Sequence, residues 1–279
     1  MKPLRFGLVG ENIGYTKSPE IFAVMLAQLK LNGSFDAHSV SAQQLGACVR
    51  QMVESGFSGF AVTIPHKDNI GEYLDSVDES ATAVGAVNSV GIRNGSLTGY
   101  NTDRYGFTFS LRRRDFSGCK QALILGTGGA ARAVMAALRY DFGVTRFVMC
   151  GRWSGDAGRP TIETRRLRDL LQADVSAISF DECVRDPGCD LVVNCTPLGG
   201  PNHIDERAVP DGFGWGPAEN YYDLNYNADN LMLIEAARHG VATMDGSAML
   251  VAQAVRSLEL WTGHKADFEP VYREVFPGR

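Results

Sequence analysis

An α/β fold in two domains, each built on a largely parallel sheet, is what this sequence predicts, on three observations. Short apolar runs alternate with helical patterns along the chain, the order that lays down parallel strands with helical crossovers. Gly126-Thr127-Gly128-Gly129-Ala130 follows the apolar run at 121–125 and opens the alanine-rich stretch at 130–138, a strand, a glycine turn and a helix in succession. A length of 279 residues is long for one compact core, which favours two domains sharing a cleft.

In chain order, strands are expected at 5–9, 34–39 and 59–64. A helix at 18–29 fits between the first two, with Ser18 as its cap and Pro19 at the first helical position. A second helix, at 42–54, gathers Leu45, Val49, Met52 and Val53 on one face. Two short β runs, at 86–92 and 96–100, flank Asn94-Gly95, a strong two-residue hairpin signal. A helix over 103–113 leads to the glycine turn. Beyond it, strands are expected at 121–125, 146–150, 191–194 and 221–224, and helices at 130–140, 164–172 and 230–239. Glycine and proline mark 156–160 and 197–217 as loops, and helices at 248–261 and 267–275 close the chain.

Composition narrows the class. With 44% hydrophobic and 21% charged residues the chain is an ordinary globular protein with a substantial core. Its net charge is −5, and the short runs Arg112-Arg113-Arg114 and Arg165-Arg166 read as solvated helix faces, so no nucleic-acid partner is expected. No apolar segment is long enough to span a bilayer, and the N-terminus enters a strand-like run instead of a signal peptide, so no membrane partner is expected. Six cysteines show no C-x-x-C spacing and five histidines form no H-x-x-x-H pair, which points to reduced thiols, a cytoplasmic location and no metal site.

The glycine segment carries the first functional signal. A dinucleotide's pyrophosphate needs a tight turn, a close backbone approach and the free N–H groups of a helix N-terminus. Gly126 suits the turn, Gly128 the approach, and Gly129-Ala130 the start of the helix. Polar clusters at other strand ends carry the second: Tyr15-Thr16-Lys17-Ser18-Pro19, Val62-Thr63-Ile64-Pro65-His66-Lys67, Gly85-Ala86-Val87-Asn88 and Gly99-Tyr100-Asn101-Thr102-Asp103. Further on stand Asn194-Cys195-Thr196-Pro197-Leu198-Gly199, Asp223-Leu224-Asn225-Tyr226, and Asp245-Gly246 with Met249-Leu250 and Gln253-Ala254. Standing alone, Lys67 would be a solvated lysine at a helix start and Asp103 a helix N-cap. Ser18 would likewise be a cap, Gln253 an exposed helix residue and Tyr226 a packing aromatic.

Taken in order, these clusters resemble the shikimate dehydrogenases over nearly the whole chain. The resemblance implies reduction of 3-dehydroshikimate to shikimate with NADPH, in aromatic amino-acid biosynthesis. It makes Lys67 and Asp103 the catalytic pair, the ammonium stabilising the developing alkoxide and delivering a proton, the carboxylate holding the ammonium. Thr16, Ser18 and Tyr226 match the hydroxyls that receive the substrate carboxylate. Thr63, Asn88, Asn101 and Gln253 match the groups that bracket the ring hydroxyls. Gly126, Thr127, Gly128, Gly129, Ala130 and Thr196 fall on the cofactor side. His66 is incidental, since the motif does not require histidine there.

After the strand at 146–150, where an NAD enzyme places an acid for the ribose hydroxyls, stands Arg152, which suits a 2′-phosphate and so NADP, with NAD left open. The family pattern is departed from at Thr16 (for serine), Gly151 and Trp153 (for asparagine and threonine beside Arg152), and Asp156 (near a basic position). It is departed from again at Gly200 (for methionine) and Asn225 (for an apolar residue). A quinate/shikimate or aminoshikimate-type dehydrogenase is the alternative among enzymes, and a catalytically silent nucleotide-binding homologue the alternative of another class. The expected domains are 1–103 with 247–279, binding the polyol acid and carrying the catalytic pair, and 104–246, a Rossmann domain for NADP. The partners are thus small molecules, to a monomer or homodimer.

Overall fold

The computed structural model describes residues 3–114, 116–151, 159–184, 188–227 and 229–279. The chain divides into two compact units, Met1–Ser110 with Ala248–Arg279, and Leu111–Ser247. The first holds a six-stranded sheet of β1 (Leu4–Gly10), β2 (Gly33–Ser39), β3 (Gly59–Val62), β4 (Ser76–Val77), β5 (Ser89–Arg93) and β6 (Ser96–Tyr100), in the order β2-β1-β3-β5-β6-β4. β1 runs parallel to β2 and β3, β5 antiparallel to β3 and β6, and β4 parallel to β6.

Alternation places Phe6 on one face of this sheet, where it packs with Phe22 and Trp261 at ring separations of 5.5–5.9 Å. Val9 turns to the other face, into a core with Leu45, Val49, Met52 and Phe60. The hairpin forms where Asn94-Gly95 predicts it, with φ of 53° and 83° at those residues and Arg93 opposite Ser96. Helices α1 (Ser18–Gln28), α2 (Leu45–Glu54), α3 (Glu79–Thr82) and α4 (Asp103–Arg112) complete this stretch. α2 is preceded by a 3-10 turn, Ala42–Gln44, closed by a reciprocal Ser41–Gln44 capping box.

The second unit holds β7 (Gln121–Leu125), β8 (Arg146–Gly151), β9 (Asp174–Ser179), β10 (Leu191–Asn194), β11 (Asn220–Asp223) and β12 (Ala242–Asp245), all parallel, in the order β12-β11-β10-β7-β8-β9. The order steps outward from β7 to β9, then returns to β10 on the other side. That reversal creates a switch point between the carboxyl ends of β7 and β10. Its helices are α5 (Gly129–Phe142), α6 (Arg159–Leu171) and α7 (Leu231–Arg238). α5 is buried almost all round by its alanines and ends at Gly143, left-handed at φ 74°. The chain then returns to the first unit with α8 (Ser247–Thr262) and α9 (Phe268–Val275). Among the described residues no helix is long and apolar enough to cross a membrane.

Several expectations are corrected. Ser18 is the first helical residue of α1 and Pro19 the second; the cap position is Lys17, and no side chain caps it. α6 begins at Arg159, not 164, because Pro160 fits a first turn whose N–H groups have no helical partner. β3 stops at Val62 because Thr63 enters a turn, its carbonyl accepting the His66 N–H at 2.9 Å. The edge strands β9 and β12 are unforeseen: Asp174–Ser179 mixes serine with small apolar residues, and Ala242–Asp245 has four residues with only Met244 buried.

Candidate active site

In the first unit the carboxyl ends of β1, β3 and β6 and the amino end of β5 lie along one sheet edge. Val9 pairs with Val62, Ala61 with Ser89, and Ser89 with Tyr100, so the residues just beyond these strand ends are brought together. Those residues are the polar clusters: 11–18 after β1, 63–67 after β3, Asn88 before β5, and 101–103 after β6. Loops 11–16 and 63–67 touch, the Glu11 N–H donating to the Ile64 carbonyl at 3.1 Å. Gly10 permits this, since a Cβ there would sit 2.7 Å from Ile13 and collide with the Thr63 methyl.

Lys67 Nζ donates to Asp103 Oδ2 at 2.5 Å, the two side chains only 14% and 9% exposed. Asp103 opens α4, and its Oδ1 accepts an amide hydrogen of Asn88 at 2.8 Å. Asn88 donates its other amide hydrogen to Thr102 Oγ1 at 3.0 Å and accepts the Thr102 N–H at 2.6 Å. Asn101 donates to the Ala86 carbonyl at 3.0 Å and accepts the Arg104 N–H at 3.1 Å. Gln253, on α8, turns Oε1 toward Thr102 Oγ1 at 3.4 Å. Thr16 Oγ1 lies 3.1 Å from Ser18 Oγ and accepts the Ser18 N–H, so the two hydroxyls stand side by side. His66 is fully buried and Nε2 meets the Val40 carbonyl at 2.8 Å; a carbonyl only accepts, so that nitrogen carries hydrogen and braces the loop.

In the second unit the glycine turn follows β7 as the sequence predicts. Gly126 is left-handed at φ 109°, and its N–H donates to the Cys150 carbonyl at 2.8 Å. Gly128 caps α5 from extended backbone. A Cβ on Gly128 would meet no protein atom within 4 Å, so the space outside the turn is open to a phosphate, and a dinucleotide fits it. Thr196 comes to the same turn from β10, its methyl 3.1 Å from where a Cβ on Gly126 would stand. Thr127 and Ala130 are partly buried there, and Gly129 is the first residue of α5. Arg152, Trp153 and Asp156 lie outside the described residues.

A buried carboxylate, absent from the predicted site, organises the loops after β10 and β11. Asp223 accepts hydrogens from Asn194, Asn230 and Tyr221 at 3.0, 3.0 and 2.5 Å, and from the Asn225 backbone and side chain at 2.9 and 2.8 Å. Burial pushes its carboxyl above the ordinary 3.8, while those hydrogen bonds hold it down; burial first, then the Asp223 charge, pushes the Tyr221 phenol well above 10.0. The Asn225 amide also reaches the Thr196 and Leu198 carbonyls at 3.2 Å each. A Cβ on Gly200 would collide with the Asn225 amide oxygen and stand 2.9 Å from the Pro197 carbonyl oxygen, so the side chain at 225 and the backbone at 197 together press on position 200.

The structure thus gathers Thr16, Ser18, Thr63, Lys67, Asn88, Asn101, Asp103 and Gln253 in the first unit, and Gly126 to Ala130 with Thr196 in the second. Tyr226 stands in the second unit, after β11, whereas Thr16 and Ser18 stand in the first. Sequence reasoning missed Asp223 as an organiser and Ser257, 3.0 Å from Thr102 Oγ1. Ser257 lies one helical turn beyond Gln253, a spacing that puts both on one face of α8.

An α/β unit with a buried Lys–Asp pair, joined to a parallel Rossmann-type unit with a glycine turn at its switch point, defines a class of dinucleotide-dependent dehydrogenases. Residues 8–90 match the shikimate dehydrogenase substrate binding domain and residues 246–276 the shikimate 5′-dehydrogenase C-terminal domain. The NADP(+) shikimate dehydrogenase of Caldanaerobacter subterraneus subsp. tengcongensis is 34% identical over 97% of this chain and 95% of its own length. This chain belongs to the shikimate dehydrogenase family. Among solved structures, the Thermus thermophilus shikimate 5-dehydrogenase in complex with NADP(H) and shikimate is 28% identical, with a TM-score of 0.80 over 98% of this chain and 100% of that one. The ligand-free 5-ketofructose reductase of a Gluconobacter strain is similar too, 26% identical with a TM-score of 0.81 over 99% of this chain and 98% of that one.

Proposed function

We propose that this chain interconverts 3-dehydroshikimate and shikimate with NADP(H), and that Lys67 and Asp103 are its catalytic pair. The carrying observation is the shielded Lys67–Asp103 contact of 2.5 Å, with Asn88 behind the carboxylate. The ammonium hydrogen-bonds the ketone oxygen, stabilises the charge that develops there and gives up its proton as the alcohol forms; Asp103 keeps it aimed. The dinucleotide, when bound, supplies the hydride. Gly126, Thr127, Gly128, Gly129, Ala130 and Thr196 hold its pyrophosphate side, with Arg152 assigned to the 2′-phosphate. Thr16 and Ser18 take the substrate carboxylate; Thr63, Asn101 and Gln253 take ring hydroxyls; Asn88 acts chiefly through Asp103. The first unit is then the substrate domain and the second the NADP domain, in a monomer or homodimer. The free thiols fit a reducing cytoplasm.

Steady-state assays with shikimate, quinate and 5-ketofructose, each with the NADP and NAD couples, test this. Shikimate with NADP should give the highest kcat/KM. A strong NAD preference would sink the Arg152 assignment, and absence of turnover with every polyol would revive the silent homologue. The ketofructose reductase among the similar structures favours a second reading, reduction of another small polyhydroxy ketone on the same Lys–Asp pair. Lys67→Ala should lower kcat roughly 10²–10⁴-fold with cofactor affinity unchanged. An equal loss of cofactor binding would assign the lysine to folding or to the dinucleotide instead.

A further inference from the structure

We propose that Ser257 on α8 is a positioning residue for Asp103, acting through the hydroxyl of Thr102 and the amide of Asn88. Its basis is a count of hydrogens. Asn88 has two amide hydrogens, and Asp103 Oδ1 and Thr102 Oγ1 receive one each, at 2.8 and 3.0 Å. Its oxygen accepts the Thr102 N–H at 2.6 Å, so Thr102 holds the Asn88 amide at both ends. Thr102 Oγ1, having accepted from Asn88, has one hydrogen of its own to place. Ser257 Oγ lies 3.0 Å away, Gln253 Oε1 3.4 Å and Asn88 Oδ1 3.3 Å. Gln253 Nε2 donates to the Leu250 carbonyl at 2.9 Å, which fixes its oxygen toward Thr102.

Ser257 is the partner that makes this set complete. A hydroxyl both donates and accepts, so it meets Thr102 Oγ1 whichever way that hydrogen points. Thr102 and Ser257 are 0% and 1% exposed, so water does not stand in for a lost partner. Without the Ser257 hydroxyl, Thr102 Oγ1 loses either the acceptor of its hydrogen, which must then turn to Gln253 or to Asn88 Oδ1 at longer range, or the donor to its second lone pair. The Asn88 amide is then held less tightly, and with it the oxygen of Asp103 that does not face Lys67. The sense of the chain is from α8 inward: Ser257, Thr102, Asn88, Asp103, Lys67.

The activity arm of the test rests on the Lys67–Asp103 pair being catalytic, as proposed above; a second arm does not. In Ser257→Ala, kcat should fall roughly 5- to 50-fold through loss of orientation, with KM for shikimate and NADP within about twofold of wild type. Thr102→Val, equal in shape but lacking the hydroxyl, should do the same, and Thr102→Ser should restore wild-type kcat. Independently of any substrate, NMR of the Asn88 side-chain amide, identified by its loss in Asn88→Asp, should show its hydrogens exchanging faster in Ser257→Ala and Thr102→Val but not in Thr102→Ser. Wild-type kcat and wild-type exchange in Ser257→Ala overturn the proposal. So does a fall in kcat with unchanged exchange, or a Thr102→Ser variant as poor as Thr102→Val. Faster exchange in a protein that turns over no shikimate would leave the brace standing and reject the assigned reaction.

Discussion

At Gly128 an added side chain would meet no protein atom within 4 Å, whereas at Gly126 the backbone is left-handed at φ 109° and a Cβ would press on Thr196 at 3.1 Å. The fold therefore demands glycine at 126 and not at 128, where the proposed cofactor site puts the demand on the dinucleotide. Gly128→Ala should leave stability in urea within about 0.5 kcal/mol of wild type. Yet it should raise KM for NADP roughly tenfold, the size of one lost hydrogen bond to a phosphate. Gly126→Ala should cost about 1–3 kcal/mol of stability. A Gly128→Ala enzyme with unchanged KM would remove the phosphate from that turn. Thr16 carries an extra methyl beside the Ser18 hydroxyl, so Thr16→Ser should change KM for shikimate while kcat stays within about twofold. At this scale residue types were legible and partners were not: Lys67 and Asp103 stand 36 positions apart, and nothing local distinguishes them from a solvated lysine and a helix cap.

The loops after β10 and β11 are held by Asp223, a buried carboxylate that accepts from three asparagines and a tyrosine. Asp223→Ala should destabilise the protein by about 3 kcal/mol or more, because it strands those donors away from water. It should also raise KM for NADP through Thr196, with equilibrium unfolding and steady-state kinetics as the two checks. Gly200 and Asn225 form one unit of the same loops. Gly200→Met should be destabilising through both Asn225 and the Pro197 carbonyl, and only the Asn225 part should be relieved beside Asn225→Val, so a double-mutant cycle should show coupling of about 0.5–3 kcal/mol. Additive effects would dissolve that unit. Elements were legible where periodicity was strong, as in α2, α5 and the Asn94-Gly95 hairpin. β9 and β12 were not, because edge strands with mixed side chains are made by pairing to a neighbour, which composition does not display.

Across the molecule, the thiols and the buried phenol set an alkaline limit to stability. Burial pushes the Cys119 thiol up from 9.0 to about 12, with the Asp190 carboxylate adding to it, and the Tyr221 phenol lies well above its ordinary 10.0. Both groups keep their protons longer in the folded state than in the unfolded one. Their contribution is therefore complete below pH 9 and is lost as pH rises from 9 toward 12, since the unfolded chain ionises first. Urea midpoints measured from pH 8 to 11 should fall steadily, and Cys119→Ser should flatten the onset near pH 9.

By itself the sequence determined the two-unit α/β class, the glycine turn and the residue types of the site, because apolar periodicity and turn chemistry are local properties. Only the tertiary structure decided that Asn88 spends both amide hydrogens inside the protein, that His66 is a brace, that Asn225 and the Pro197 carbonyl crowd position 200, and that Ser257 reaches Thr102. Those are matters of which buried donor meets which acceptor, and hydrogen-bond satisfaction is settled between segments far apart in the chain, after strand register has brought them to one edge.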